Sequence, residues 1–222
     1  MSGAVARAYE IIKTEISAGR LAANSRLRET KLAELTGVSR TPVREALRLL
    51  EVDGFVENNP NTGAHVAVWS EGELQEITDL RALLEGFGAG VAATRITDAE
   101  ISELERLEEK MEGVVEEAAS DFLVQLSETN KAFHLAIVEA TGNRRLIANI
   151  HSVVHGPLVL RKFSVLSNSQ IQRSLAHHRE IISALKLGDR DWATAIMRNH
   201  ILAGRSADII IQAKAGGGSG ST

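Results

Sequence analysis

Gly37-Val38-Ser39-Arg40-Thr41-Pro42-Val43-Arg44-Glu45-Ala46-Leu47-Arg48-Leu49-Leu50, followed at once by Asp53-Gly54-Phe55-Val56, is the stretch whose reading decides the fold. Val43, Ala46, Leu47 and Leu50 fall at i, i+3, i+4 and i+7, the buried stripe of an amphipathic helix. Ser39 suits the N-cap, and Pro42 in the first turn gives up no interior N–H. The helix is expected to run to about Val52, where Asp53-Gly54 breaks it. Arg40, Thr41, Arg44 and Arg48 lie off the stripe. The three arginines, at i, i+4 and i+8, line up along one exposed side near the helix start.

Upstream, a short helix from about Glu29 to Leu35 presents Leu32 and Leu35, and Thr36-Gly37-Val38 turns the chain. Before it, Val5, Ala8, Tyr9, Ile12 and Ile16 mark a first helix from Ala4 to Ala18, ended by Gly19. Downstream, Phe55-Val56-Glu57 and Ala64-His65-Val66-Ala67-Val68 flank Asn59-Pro60-Asn61-Thr62-Gly63, which reads as a hairpin around a turn-rich loop. Helix, turn, helix and wing in this order make a winged helix-turn-helix, whose second helix meets base edges in the major groove. Arginine suits that task because its planar fork donates two parallel hydrogen bonds to guanine O6 and N7. The plainer alternative is a solvated face in which Arg40, Arg44 and Arg48 pair with Glu45 and Glu51. His65 is read as an exposed strand residue, either in reach of phosphate or without a role.

From Glu73 to Gln212 the only proline is Pro157 and the patterns are helical throughout. Six helices are predicted, at about Glu73–Thr94, Asp98–Ala119, Asp121–Thr141, Arg144–Phe163, Ser169–Leu187 and Asp189–Ile211, an antiparallel bundle. The fold class is therefore mainly α: a winged helix-turn-helix over 1–69, a linker over 70–75, an all-helical domain over 76–211, and 212–222 as a flexible tail or cloning remnant.

Bulk properties narrow the functions available. The 222 residues are 44% apolar and 24% charged, enough for two small cores. With no cysteine, thiolate metal sites, disulfides and cysteine nucleophiles are excluded. No apolar run reaches the roughly 18–20 residues that span a bilayer, and no signal peptide opens the chain, so a cytoplasmic protein with no membrane partner is expected. The net charge of -4 argues against indiscriminate coating of nucleic acid. Residues 1–69 hold nine Lys/Arg against eight Asp/Glu, so a DNA-binding surface must be a focused one.

In the bundle, Leu123, Ser127, Asn130, His134 and Ile137 share one face of the third helix. Ile171, Leu175, His178, Ile182 and Leu185 repeat that spacing on the fifth, and His200 shares a face with Ala193, Met197 and Gly204 on the last. Three imidazoles and one amide oxygen thus aim at a shared interior. A lone histidine on an apolar face is usually a core residue; together the three suit zinc, nickel or a similar divalent ion, with positions left open for a ligand carboxylate. His177 is rotated about 100° off the stripe and is set aside as a ligand. His151 and His155, at i and i+4, form a second constellation.

The stretch from Gly37 to Leu50 with Asp53-Gly54-Phe55-Val56 closely resembles the signature of the GntR family of bacterial regulators. Asn130-Lys131-Ala132-Phe133-His134, His178-Arg179-Glu180-Ile181-Ile182-Ser183-Ala184-Leu185 with Gly188-Asp189, and Met197-Arg198-Asn199-His200 resemble the FCD effector domain of the FadR branch. The six-helix count points to its VanR-like subgroup. The resemblance implies that Ser39, Arg40, Thr41 and Arg44 contact a double-stranded operator, that the wing tip reaches the adjoining minor groove, and that Arg28 and Arg48 contact phosphate. Thr30 stands where some relatives have a further DNA-contacting arginine. Metal-binding members often carry aspartate where this chain has Asn130, a neutral and weaker donor. Arg81 matches a position near the effector pocket and is suited to a carboxylate; an ion pair with Glu85 at i+4 is the alternative.

The expected function is a homodimeric, sequence-specific regulator, with repression the expected sign, whose operator affinity changes when a small organic acid binds in the helical domain at a divalent metal. Two alternatives stand beside it. One keeps the DNA-binding role with a metal-free pocket. The other is a metal-dependent hydrolase, against which stands the lack of a His-Glu-x-x-His pattern, a phosphate loop or a general-base carboxylate beside the ligands, so no enzyme is expected.

Overall fold

The computed structural model describes residues 3–17, 19–68, 70–119, 121–153, 163 and 166–204. Two compact units divide at Trp69–Ser70. In the first, α1 (Gly3–Ser17), α2 (Glu29–Thr36) and α3 (Arg40–Val52) precede an antiparallel pair, β1 (Val56–Asn59) and β2 (Gly63–Val66). Val43, Ala46, Leu47 and Leu50, the four residues of the predicted stripe, are buried with Ala8, Ile12, Leu27, Leu32, Phe55, Val56 and Val66 in one core. Fully burying a branched side chain of this kind contributes about 1.5–3 kcal/mol, and that burial holds α3 on α1 and α2. Gly37 ends α2 in the left-handed conformation (φ 68°) with its N–H on the Ala33 carbonyl, so the chain reverses within three residues. Ser39 stands at the N-cap of α3 with an extended backbone, but its hydroxyl makes no capping hydrogen bond.

The wing pairs Val56 with Val66 and Asn59 with Gly63. Its strands thus begin and end nearer the loop than the apolar run suggested: Ala67 lies beyond β2, and Asn58 and Asn59 belong to β1. The loop holds itself, with Asn61 N–H on Asn59 Oδ1 at 3.1 Å and Thr62 N–H on the Asn59 carbonyl at 3.2 Å. The other edge of β2 is covered by the segment before α2, where Leu27 donates to Ala64 at 2.8 Å and Val66 donates to Ser25 at 3.0 Å. His65 is half-buried, with Nδ1 2.9 Å from the Gly63 carbonyl, which corrects its reading as an exposed residue.

The second unit contains, among the described residues, α4 (Glu71–Ala92), α5 (Asp98–Glu117), α6 (Phe122–Glu139), α7 (Arg144–Val153), α8 (Asn168–Lys186) and α9 (Arg190–Ala203). Capping boxes open α4 (Ser70 with Glu73), α5 (Thr97 with Glu100) and α8 (Ser167 with Gln170), each worth about 1 kcal/mol. The Ser70 box starts α4 two residues before its predicted start. Helix α4 packs on α9, α6 and α7, while α5 packs on α6 and α8. The seam between α4 and α9 is close because α4 carries Gly86 and Gly90: a Cβ on Gly90 would lie 2.2 Å from Thr194 Oγ1 and 3.1 Å from the Arg190 carbonyl. The core runs through Leu104, Met111, Leu126, Phe133, Ile137, Leu175, Ile181 and Met197.

Residues 154–162 and 164–165 lie outside the described residues, and with them His155, Pro157 and most of the second half of the helix predicted to reach Phe163. The six-helix count behind the VanR-like assignment extends into that stretch. The predicted end of the last helix at Ile211 and the tail from 212 lie outside as well. No helix among the described residues is long and apolar enough to cross a membrane.

Candidate functional sites

On the first unit, Ser39, Arg40, Thr41, Arg44 and Arg48 are all exposed along the start and outer side of α3, and Arg28 is exposed just before α2. An open groove is lined by Arg26, Arg28, Arg40, Arg44 and Arg48, with Glu29, Thr30 and Glu51 among them. Arg26 was not singled out from the sequence; its signal was the i, i+2 pair it forms with Arg28 before a helix start. The acidic partners also differ from the solvated-face alternative. Arg48 does reach Glu45, at 3.4 Å, but Arg40 and Arg44 converge instead on Glu29, the first residue of α2. Arg44 Nε donates to Glu29 Oε1 and Nη2 to Oε2, both at 2.8 Å; Arg40 donates to Oε2 from Nε at 3.2 Å and Nη2 at 3.0 Å. The hydrogen bond from Arg44, then that from Arg40, outweigh slight burial and hold the Glu29 carboxyl at about 2. Glu29 raises the pKa of Arg44 in turn.

In the second unit the buried centre is built by α4, α6, α8 and α9. His134, His178 and His200 bring ligating nitrogens within 4.8 Å of one another, and His134 Nε2 and His200 Nε2 stand 3.2 Å apart. The rings of Phe133 and His178 lie 4.5 Å apart, so an apolar neighbour fixes one side of the cluster. His178 is fully buried and neither ring nitrogen has a hydrogen-bond partner among the described residues; burial pushes its pKa well below the ordinary value, which keeps the imidazole neutral and able to ligate. Asn130 Oδ1, one helical turn before His134, is buried without a partner too. Buried polar atoms are normally satisfied, so converging unsatisfied donors of this kind mark a place for a ligand. These residues fit a divalent ion of borderline softness.

Glu85 completes the centre, and sequence reasoning missed it there. This α4 residue is fully buried, with Oε1 2.6 Å from Arg81 Nε and Oε2 2.6 Å from His134 Nδ1. Burial alone raises its pKa; Arg81 and His134 together outweigh that and hold it at about 2. A carboxylate behind a ligating imidazole orients the ring and makes it a better donor. Glu85 is thus a carboxylate beside the proposed ligands, but with one oxygen on Arg81 and the other on His134 it is not placed as a free general base. The signal was available as a second charged residue one turn after Arg81, within the mostly apolar second half of α4.

Arg81 makes the i+4 ion pair with Glu85 and also lines the cavity next to the histidines. That cavity, partly open to solvent, is bordered by Asn130, His134 and His200, with Gln170, Arg173, Ser174 and His177 along α8. His177, set aside as a ligand, therefore borders the cavity; its ring lies 5.8 Å from that of His200, and burial followed by Arg173 lowers its pKa. Of the second constellation, His151 is exposed on α7 and His155 lies outside the described residues.

Residues 4–66 match the family described as bacterial regulatory proteins, gntR family, and residues 76–203 match the FCD domain. The chain belongs to the GntR family and carries an FCD domain. A probable D-xylose utilization operon transcriptional repressor of Paenarthrobacter nicotinovorans is 30% identical to this GntR regulator over 195 residues, 87% of this chain and 84% of that one. The Nta operon transcriptional regulator of Aminobacter aminovorans is 30% identical over 178 residues, 79% and 80% of the two chains. Among solved structures, Escherichia coli McbR/YncC superposes with a TM-score of 0.74 at 24% identity, over 96% of this chain and 100% of that one, which establishes the shared fold. The family and these relatives are transcriptional regulators rather than enzymes, so the hydrolase alternative falls away.

Proposed function

We propose that this GntR regulator is a cytoplasmic, homodimeric repressor that reads a two-fold operator through Ser39, Arg40, Thr41 and Arg44, with Arg28 and Arg48 on phosphate, and releases it when a small organic acid binds in the FCD domain. The observation that carries the effector half is the convergence of three buried imidazoles, with Glu85 behind His134 and Arg81 at the cavity wall. In this reading His134, His178, His200 and the Asn130 carbonyl hold zinc or nickel. When bound, the ion supplies open coordination positions for an effector carboxylate, while Arg81 offers a cationic wall for the same group. A second copy is assigned to the outer side of α4, where the large apolar side chains of Leu80, Leu83 and Phe87 stay exposed at i, i+3 and i+7. The sign of regulation is proposed as repression, and the effector acts by shifting the population of arrangements competent for DNA.

Elemental analysis of wild type and Asn130→Asp after dialysis without chelator tests the metal. About one divalent ion per chain in wild type supports the site. Metal in the variant alone assigns the cavity to direct hydrogen bonding of the effector, a reading favoured by the neutral side chain of Asn130. For the DNA half, Arg44→Ala is expected to abolish sequence-selective binding while leaving the fold and dimer intact, as judged by circular dichroism and gel filtration. Retained selectivity would move the recognition surface elsewhere.

A further inference from the structure

We propose that Glu29 is a positioning residue for base readout: it grips the side edges of Arg40 and Arg44 and leaves their Nη1–Nη2 ends directed outward to pair with guanine. The inference rests on the operator-binding reading and adds to it a residue that touches no base. A guanidinium has two edges on which parallel N–H groups point the same way, one across Nε and Nη2 and one across Nη1 and Nη2. Glu29 occupies the Nε–Nη2 edge of both arginines, at 2.8 Å for each bond from Arg44 and at 3.2 and 3.0 Å from Arg40. The edge that remains is the fork that matches guanine O6 and N7.

Without that grip, an exposed arginine samples many rotamers and must be immobilised on binding, at an entropic cost for each such side chain. Glu29 is itself fixed by its place as the first residue of α2, and its side chain is 26% exposed against 61% and 53% for Arg40 and Arg44. The carboxylate therefore sits inboard of the two guanidinium groups it holds. A negative charge there also lowers the attraction of the surface for DNA of any sequence, so Glu29 trades general affinity for discrimination.

The test uses the full chain and a library of random-sequence duplexes, selected and sequenced with wild type, Glu29→Ala and Glu29→Gln, followed by titration of the enriched duplex and of an unselected one. Wild type is expected to enrich a two-fold site with fixed guanines. Glu29→Ala is expected to bind the unselected duplex at least as tightly as wild type, yet to lose about 10- to 100-fold in the ratio of selected to unselected binding, the range expected for misplacing a bidentate pair. Glu29→Gln, equal in size and neutral, is expected to move the same way and decides the case if the alanine variant does not fold. An unchanged ratio, with both duplexes gaining equally, would reduce Glu29 to a diluting charge and overturn the proposal. If wild type enriches no site, the operator-binding reading fails first, and the two failures are told apart.

Discussion

Two carboxylates organise the two units, and both are held at about 2 by basic neighbours, against very different degrees of burial. Glu29 lies near the surface, where the hydrogen bond of Arg44 is the largest influence and, with that of Arg40, outweighs burial. Glu85 is fully buried, where desolvation is the largest influence and acts upward, and only the joint pull of Arg81 and His134 reverses it. Equal acidity thus hides unequal roles. At the surface, the pair can be dissolved by water or exchanged for DNA at little cost to the fold. In the core, the triad is satisfied only as a whole, and removing Glu85 or Arg81 leaves a buried charge unpaired.

The largest effect should therefore come from Glu85→Ala. Arg81, whose side chain is 6% exposed, would lose its carboxylate and His134 the contact on its Nδ1. A loss of about 3–5 kcal/mol is expected in urea unfolding, the range for leaving a buried charge unpaired. A cost below about 1 kcal/mol would mean that water reaches the triad, and the contrast between the two carboxylates would collapse.

The two regions also differ in how much of each could be read in the sequence. Local spacing carried what lies on one helix: the stripe Val43, Ala46, Leu47 and Leu50, and the faces holding Asn130 with His134, His178 and His200, came from the 3.6-residue period alone. What crosses between helices did not. Glu29 lies 11 and 15 residues from the arginines it holds, and Glu85 lies 49 residues from His134, so each contact depends on how α2 meets α3 or α4 meets α6. The intrahelical Arg81–Glu85 pair was seen at i+4, but its burial was not, because charged pairs at that spacing mostly face solvent. Gly86 and Gly90 held a usable signal: two glycines one turn apart inside a strong helix point to a close helix–helix approach.

Glu108 on α5 is an intermediate case that sharpens the comparison. Its side chain is 7% exposed and shares Arg179 with the neighbouring Glu112, so one cation serves two acids. Burial first, then repulsion from Glu112, raise it to about 6 despite Arg179. A raised folded-state value means stability is fully present below the usual carboxylate value of about 4.5 and is lost as pH rises through about 6. Glu108→Gln cannot ionise, so it should gain on wild type over that window, by about 1.5 kcal/mol at pH 7.5 relative to pH 4.5. A difference between the two proteins that does not change with pH would show that Arg179 neutralises Glu108 as fully as Arg81 and His134 neutralise Glu85.

The smallest effect on stability is expected at Glu29. Its value lies below the unfolded one, so its contribution is present above about pH 4.5 and is lost as pH falls toward 2. Because its arginine partners are more than half exposed, solvent screening holds that contribution within about 1 kcal/mol, and salt reduces it further. Glu29→Gln should accordingly unfold within about 1 kcal/mol of wild type at pH 7 and indistinguishably from it near pH 2, while its DNA discrimination changes by an order of magnitude. A destabilisation at pH 7 comparable to that of Glu85→Ala would place Glu29 among the residues that build the fold. Its hold on Arg40 and Arg44 would then be an architectural brace between α2 and α3, and the exposed arginines would need another source for their orientation toward DNA.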